Sequence, residues 1–195
     1  VKRWRSNLKD IKKYTEKLRD AAYRKADLLP AENHRAEGTG ENEWYTPEQY
    51  IEAARTVMGG IDLDPATSES AQFRVGAAKF YTVNDNGLNR DWEGKVWLNP
   101  PYAKHEIWNF CDKLVAELEK GRVEQAVLLT HNYTDTAWFH RAESIAKHIC
   151  FTRGRVKFLS PDGDECAPTQ GQAFFYYGDN GDRFGEVFRQ FGFIR

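Results

Sequence analysis

Asn99, Pro100, Pro101 and Tyr102 are the residues whose types and spacing most directly suggest chemistry. Asn99 offers a side-chain carbonyl as an acceptor. The prolines fix two φ angles and remove two backbone donors, so the chain continues rigidly with its carbonyls bare. Tyr102 adds a flat π face close by. Acceptors beside a stacking ring suit the recognition of an amino group on a flat heterocycle. An ordinary strand–turn–helix corner with a buried tyrosine would use the same residues, so their surroundings must decide.

The apolar run Val96-Trp97-Leu98 carries the corner and reads as a buried strand. Upstream, Thr46 as N-cap, Pro47 at the first helical position and Glu48 in the first turn predict a helix to about Val57, closed by Met58-Gly59-Gly60. Ile61 to Asp64 then gives a short strand ending on a carboxylate, with Thr67 and Ser68 capping the next turn. Residues 84–94 are turn-rich. Beyond the corner, Ile107, Phe110, Cys111, Leu114, Val115 and Leu118 mark one face of a helix over 104–120, which Gly121 ends. Val123–Leu129 is the clearest buried strand. Thr134 and Asp135 cap a helix to about Ala146, and His148–Phe151 is a short strand. Residues 155–159 and 172–177 pair around the polar loop 160–171. An amphipathic helix bearing Phe184, Val187, Phe188 and Phe191 closes the chain.

Strands alternating with helices predict a parallel α/β sheet finished by an antiparallel hairpin. Ligands of such sheets bind beyond the C-terminal strand ends. Asp64, Asn99 and the residues after Leu129 share that rim, which favours a binding corner over a plain turn.

With 41% hydrophobic and 29% charged residues the composition is that of a soluble globular protein. No run has the length of a membrane span and no charged-apolar-small signal pattern opens the sequence, so no membrane partner is expected. Cys111, Cys150 and Cys166 are odd in number and far apart, which predicts no disulfide framework and a reducing cytoplasm. No CxxC, HxxxH or HExxH spacing occurs, so no metal site is expected. Residues 1–25 hold ten Lys and Arg against Asp10, Glu16 and Asp20, on a chain whose net charge is −1. The organisation expected is a basic helical arm over 1–30 (helix 6–25), a polar linker over 31–43 and one domain over 44–195. The arm could meet nucleic acid, present a solvated face, or pair through its apolar stripe (Leu8, Ile11, Tyr14, Leu18) into a homodimer.

Trp44-Tyr45-Thr46-Pro47, Leu63-Asp64-Pro65-Ala66-Thr67, Asn99-Pro100-Pro101-Tyr102, the segment from Thr134 to Phe139 and Gly154-Arg155-Val156-Lys157-Phe158 together, in this order, resemble the phage-type DNA adenine methyltransferase family. The resemblance covers residues 43–178. It implies a compact class I, Rossmann-like methyltransferase fold, S-adenosylmethionine as methyl donor, and the exocyclic 6-amino group of adenine in DNA as acceptor. This sequence departs from the usual pattern at two points. Gly59-Gly60 precede the first strand where a glycine-rich turn normally follows it, and the interval from Asp62 to Asn99 is too short for two βα units.

In the implied reaction Asn99 and Pro100 supply acceptors for the amino hydrogens, Pro101 stiffens the corner, and Tyr102 stacks on a base flipped out of the duplex. Asp64, then Asp62, are the candidates for the methionine ammonium or a ribose. Tyr45, Thr46 and Pro47 would close over the methionine part, with Ala66 and, further off, Asp85 or Asp91 along the cofactor. Thr134, Asp135 and Trp138 would line the substrate mouth, Arg153, Arg155 and Lys157 would meet phosphates, and Phe158 would pack on the base. Capping, turn formation and core packing explain several of these residues equally well. RNA adenine, the amino group of cytosine or a protein glutamine are alternative acceptors, and a catalytically silent DNA-binding module is the alternative outside enzymes. Little chain remains for target reading, so a short or relaxed recognition sequence is expected.

Overall fold

The computed structural model describes residues 44–103, 105–160, 163–166 and 168–195. The arm over 1–30, with its helix 6–25, and the linker over 31–43 lie outside the described residues. The main sheet contains β1 (Leu63–Asp64), β2 (Lys79–Phe80), β3 (Gly94–Leu98), β4 (Val123–His131), β5 (His148–Thr152), β8 (Gln172–Tyr177) and β9 (Gly192–Ile194). A separate pair joins β6 (Phe158–Leu159) to β7 (Glu165–Cys166). The helices are α1 (Glu48–Met58), α2 (Glu69–Val75), α3 (Glu106–Glu119), α4 (Ala137–Glu143) and α5 (Gly181–Phe188).

The strand order is β2-β1-β3-β4-β8-β5-β9. The first four run parallel. β8 is antiparallel to both β4 and β5, so β5 points the same way as β4. β9 is antiparallel to β5 and closes that edge.

Alternation along the strands divides the core into two clusters. Val96, Leu98, Ala126, Leu128, Phe175 and Tyr177 pack with Ile107, Phe110, Cys111 and Leu114 of α3 and with Trp138, Phe139 and Ala142 of α4. Trp97, Val127, Leu129, Phe174 and Tyr176 turn the other way, onto Ile51, Ala54, Val57 and Met58 of α1 and Phe184 and Phe188 of α5. Both faces of the sheet are thus covered, and a mixed α/β fold results. Among the described residues no helix is long and apolar enough to cross a membrane.

The local expectations are corrected at several places. α1 starts at Glu48 with Pro47, which has no side-chain acceptor, as its N-cap, and the Thr46 hydroxyl accepts a hydrogen bond from Asn99 instead. α4 starts after Thr136, not after Thr134-Asp135, and ends at Glu143. Residues 172–177 do not pair with 155–159. All six are buried, so they fit a strand covered on both sides and insert between β4 and β5, leaving Phe158–Leu159 to pair with Glu165–Cys166. The chain ends on β9 rather than on a helix. Between β1 and β3 stand α2, β2 and one short 3-10 turn, which accounts for the short interval seen in the sequence.

From β2 the chain returns to β3 through a tight turn at Gly87–Asn89. The Gly87 carbonyl accepts from the indole N–H of the fully buried Trp92 (2.8 Å). A Cβ at Gly87 would collide with the carbonyl oxygen of Pro65, the residue after Asp64. Gly87→Ala is therefore expected to cost about 1–3 kcal/mol of stability, measured as a lower urea midpoint with an unchanged slope.

Candidate active site

The parallel strands β1, β3 and β4 end on one rim, to which they bring Asp64 at the end of β1, Asn99 just after β3 and His131 at the end of β4. β3 is buried where it ends, at Val96, Trp97 and Leu98. The sheet thereby fixes the half-buried Asn99 that follows.

Asn99 is held at both ends of its amide. Its Nδ2 donates to Thr46 Oγ1 (3.2 Å), and its Oδ1 accepts from the Tyr102 hydroxyl (2.7 Å). Thr46, only 5% exposed, is placed by a backbone bridge in which the neighbouring Tyr45 N–H donates to Leu159 O (2.8 Å) and the Tyr45 carbonyl accepts from Leu159 N–H (2.9 Å). The little β6–β7 pair thus fastens residues 45–47 over the corner. Arg74 of α2 lies 5.7 Å from the centre of the Tyr45 ring. Among the described residues no donor bonds the Pro100 carbonyl.

Tyr102 points into the corner. Its hydroxyl also lies 3.5 Å from Leu129 O, and its ring rests 4.1 Å from the His131 ring at a tilt of 31°. Burial pushes the phenol well above its ordinary pKa, so it stays protonated and donates. Burial also pushes His131 down to about 4, leaving a neutral imidazole at pH 7. The buried Cys111 and Cys150 thiols are pushed up to about 12, again by burial, so neither presents a thiolate. The corner thus offers acceptors and flat rings, and the groups around it hold and orient rather than attack.

Asp64 is 2% exposed. Burial raises its pKa to about 7, although the Ala66 N–H, Thr67 and Gln72 each pull it back. Gln72 Nε2 donates to Asp64 Oδ2 (2.8 Å) and lies 3.2 Å from Thr67 Oγ1, while its Oε1 accepts from Ala77 N–H (3.1 Å). Ala66 N–H reaches Asp64 Oδ1 at 3.4 Å. Burial thus disfavours the charged form of this carboxyl while its hydrogen-bond donors favour it.

Other candidates fall elsewhere. Asp62 stands before β1, at the opposite end of the strand from Asn99, where its Oδ2 accepts from Lys95 N–H (2.9 Å) beside Glu93 and Glu124. Asp85 closes a turn: it accepts from Thr82 N–H (2.9 Å) and Thr82 Oγ1 (2.8 Å), and these bonds hold its carboxyl below the usual range. Asp91 is exposed, and its backbone carbonyl accepts from Tyr81. Phe158 and Trp138 are buried core residues in opposite clusters, so neither has a face free for a base. Thr134 and Asp135 are exposed on the loop after β4. Arg153 and Arg155 are exposed and make no ion pair among the described residues, whereas Lys157 pairs with Glu165 (2.8 Å). Among the described residues no three His, Cys, Asp or Glu side chains converge on one point.

Gln72, His131 and Tyr133 escape the sequence reading. The position of His131, at the end of the strongest strand, was the available signal. Gln72 gave none, because its role arises only when α2 packs over Asp64.

A family model described as DNA N-6-adenine-methyltransferase (Dam) matches residues 35–174. A DNA N-6-adenine-methyltransferase of Escherichia phage T1 is 34% identical over 141 residues, covering 71% of this chain and 55% of that relative. The chain thus spans about half the length of the curated relative it matches.

Proposed function

The chain belongs to the family of Dam-type DNA N-6-adenine-methyltransferases, and from that membership we propose that it transfers a methyl group from S-adenosylmethionine to the exocyclic 6-amino group of adenine in DNA. The observation that carries this reading is Asn99 just after β3, its amide held between Thr46 and Tyr102 and followed by a Pro100 carbonyl that no donor bonds among the described residues.

An antiparallel β8 between β4 and β5, beside a parallel β1-β3-β4 group, supports a class I methyltransferase sheet with one βα unit fewer than usual. The buried Asp64 on the same rim fits a cationic cofactor, because an ammonium beside it would offset the burial that raises its pKa. When bound, S-adenosylmethionine supplies a methyl group activated by its sulfonium. Asp64 is assigned the ammonium, and Tyr45, Thr46, Pro47 and Ala66 the space beside it.

Adenine's amino nitrogen is a weak nucleophile because its lone pair is delocalised into the ring. Asn99 Oδ1 and the Pro100 carbonyl accept its two hydrogens, which favours a pyramidal nitrogen and localises the lone pair. Both acceptors then face the positive charge that develops there. The corner is stiff because of Pro100 and Pro101, so little reorganisation accompanies the reaction. Tyr102 presents its ring to a base that has left the duplex stack.

Arg153 and Arg155, exposed and without an ion pair among the described residues, are assigned to phosphates, and the basic segment 1–30 adds non-specific affinity. Arg153→Ala with Arg155→Ala is expected to weaken DNA binding about tenfold at moderate salt and to reduce the salt slope by about two, read by fluorescence anisotropy at several salt concentrations. Recognition is short or relaxed in sequence, and the site of action is the cytoplasm of a bacterial or phage-infected host. Calorimetry with S-adenosylmethionine separates this function from a silent module: saturable one-site binding is expected, and no heat at millimolar cofactor would remove the enzyme reading.

A further inference from the structure

Among the described residues, one buried side-chain polar atom has no hydrogen-bond partner, and it is Nδ1 of His131. Leaving such an atom unpaired costs about 1–3 kcal/mol. The imidazole stands on the acceptor rim at the end of β4. It lies between the rings of Tyr102 (4.1 Å) and Tyr133 (5.3 Å), and Tyr133 is 39% exposed at the mouth. The Tyr102 hydroxyl in turn lies between two acceptors, Asn99 Oδ1 at 2.7 Å and Leu129 O at 3.5 Å.

These contacts form a chain. The imidazole sets where the Tyr102 ring stands, the ring sets which acceptor the hydroxyl meets, and the hydroxyl occupies the carbonyl that a target amino group needs. We propose that His131 is a positioning residue for methyl transfer: it holds Tyr102 so that the hydroxyl occupies and orients Asn99 Oδ1 until a target amino group replaces it. The hydroxyl then turns to the Leu129 carbonyl while its ring stays in place. A neutral imidazole suits this position, because it adds no positive charge beside a nitrogen that becomes positive during transfer. The inference rests on the methyl-transfer reading of the corner and adds the residue that keeps the corner in register.

The test uses the full chain and compares His131→Ala, which removes the ring, with His131→Phe, which keeps a flat plate. With unmethylated DNA and saturating S-adenosylmethionine, His131→Ala is expected to lower kcat about tenfold while KM for DNA changes less than about twofold. His131→Phe is expected to recover kcat to within about threefold of the parent. The side-chain amide resonances of Asn99 give a readout independent of turnover: they shift in His131→Ala and return towards the parent in His131→Phe. Unchanged Asn99 resonances in His131→Ala would overturn the proposal, as would a His131→Phe variant as slow as His131→Ala. Absence of transfer by the parent chain would instead overturn the methyl-transfer reading, and the resonances would still decide the role of His131.

Discussion

Asn99→Ala is expected to lower methyl transfer to DNA by about 10³-fold, with the dissociation constant of S-adenosylmethionine changed by less than about threefold. The substitution removes the side-chain acceptor that makes adenine's amino nitrogen nucleophilic, and that interaction strengthens only as positive charge develops. The loss therefore falls on kcat rather than on cofactor affinity. It also frees the Thr46 hydroxyl and leaves the Tyr102 hydroxyl with Leu129 O, its more distant acceptor. Asn99→Asp retains acceptor oxygens and allows the Thr46 hydroxyl to donate in its turn, so it should keep more activity than alanine. Labelled methyl transfer at saturating cofactor, with calorimetry on the same preparations, separates the two effects. Equal losses of cofactor binding and turnover would place Asn99 in the cofactor site instead.

Asp64→Asn should act in the opposite way: cofactor affinity falls about 30-fold or more while the free protein becomes more stable. The sign follows from the raised pKa. Asp64 titrates near 7 in the folded chain because burial penalises its charge, against about 4 when unfolded. Protonation therefore favours the folded state. That stability is complete below pH 4, declines as pH rises towards 7, and is absent above it. An asparagine carries no charge to bury and should raise the melting temperature at pH 8 more than at pH 5. Cofactor binding requires the ionised carboxylate, so in the parent chain affinity should rise from pH 6 to pH 8, with proton release detectable by calorimetry in buffers of different ionisation enthalpy. Gln72 and the Ala66 N–H already donate to this carboxyl, so a role limited to fastening α2 would predict the reverse, a less stable variant with unchanged affinity.

Much of the site was legible because its parts are local. The Asn-Pro-Pro-Tyr corner follows an apolar run that reads as a strand, and the carboxylate of Asp64 ends another. The shared rim follows once the strands are taken as parallel. The illegible parts depend on long-range packing. β2 contains two exposed residues, and α2 buries only Val75, so neither carries a hydrophobic period to read. Residues 172–177 are buried throughout, and with no alternation the sequence cannot show which strands flank them. Thr46 precedes Pro47 in an ordinary helix-start pattern, which concealed that its hydroxyl faces Asn99 across 53 positions of chain. Asp62 and Asp64 are equivalent in type and nearly so in position, yet one residue pairs with the start of β3 and the other is buried under α2.

Nucleoside analysis of DNA treated with the full chain and labelled S-adenosylmethionine tests the central claim most directly. Digested product should carry its label in N6-methyldeoxyadenosine, and the Asn99→Ala preparation should yield almost none. Label in methylated deoxycytidine, or none in DNA while the cofactor binds, would contradict the assignment of this corner to adenine.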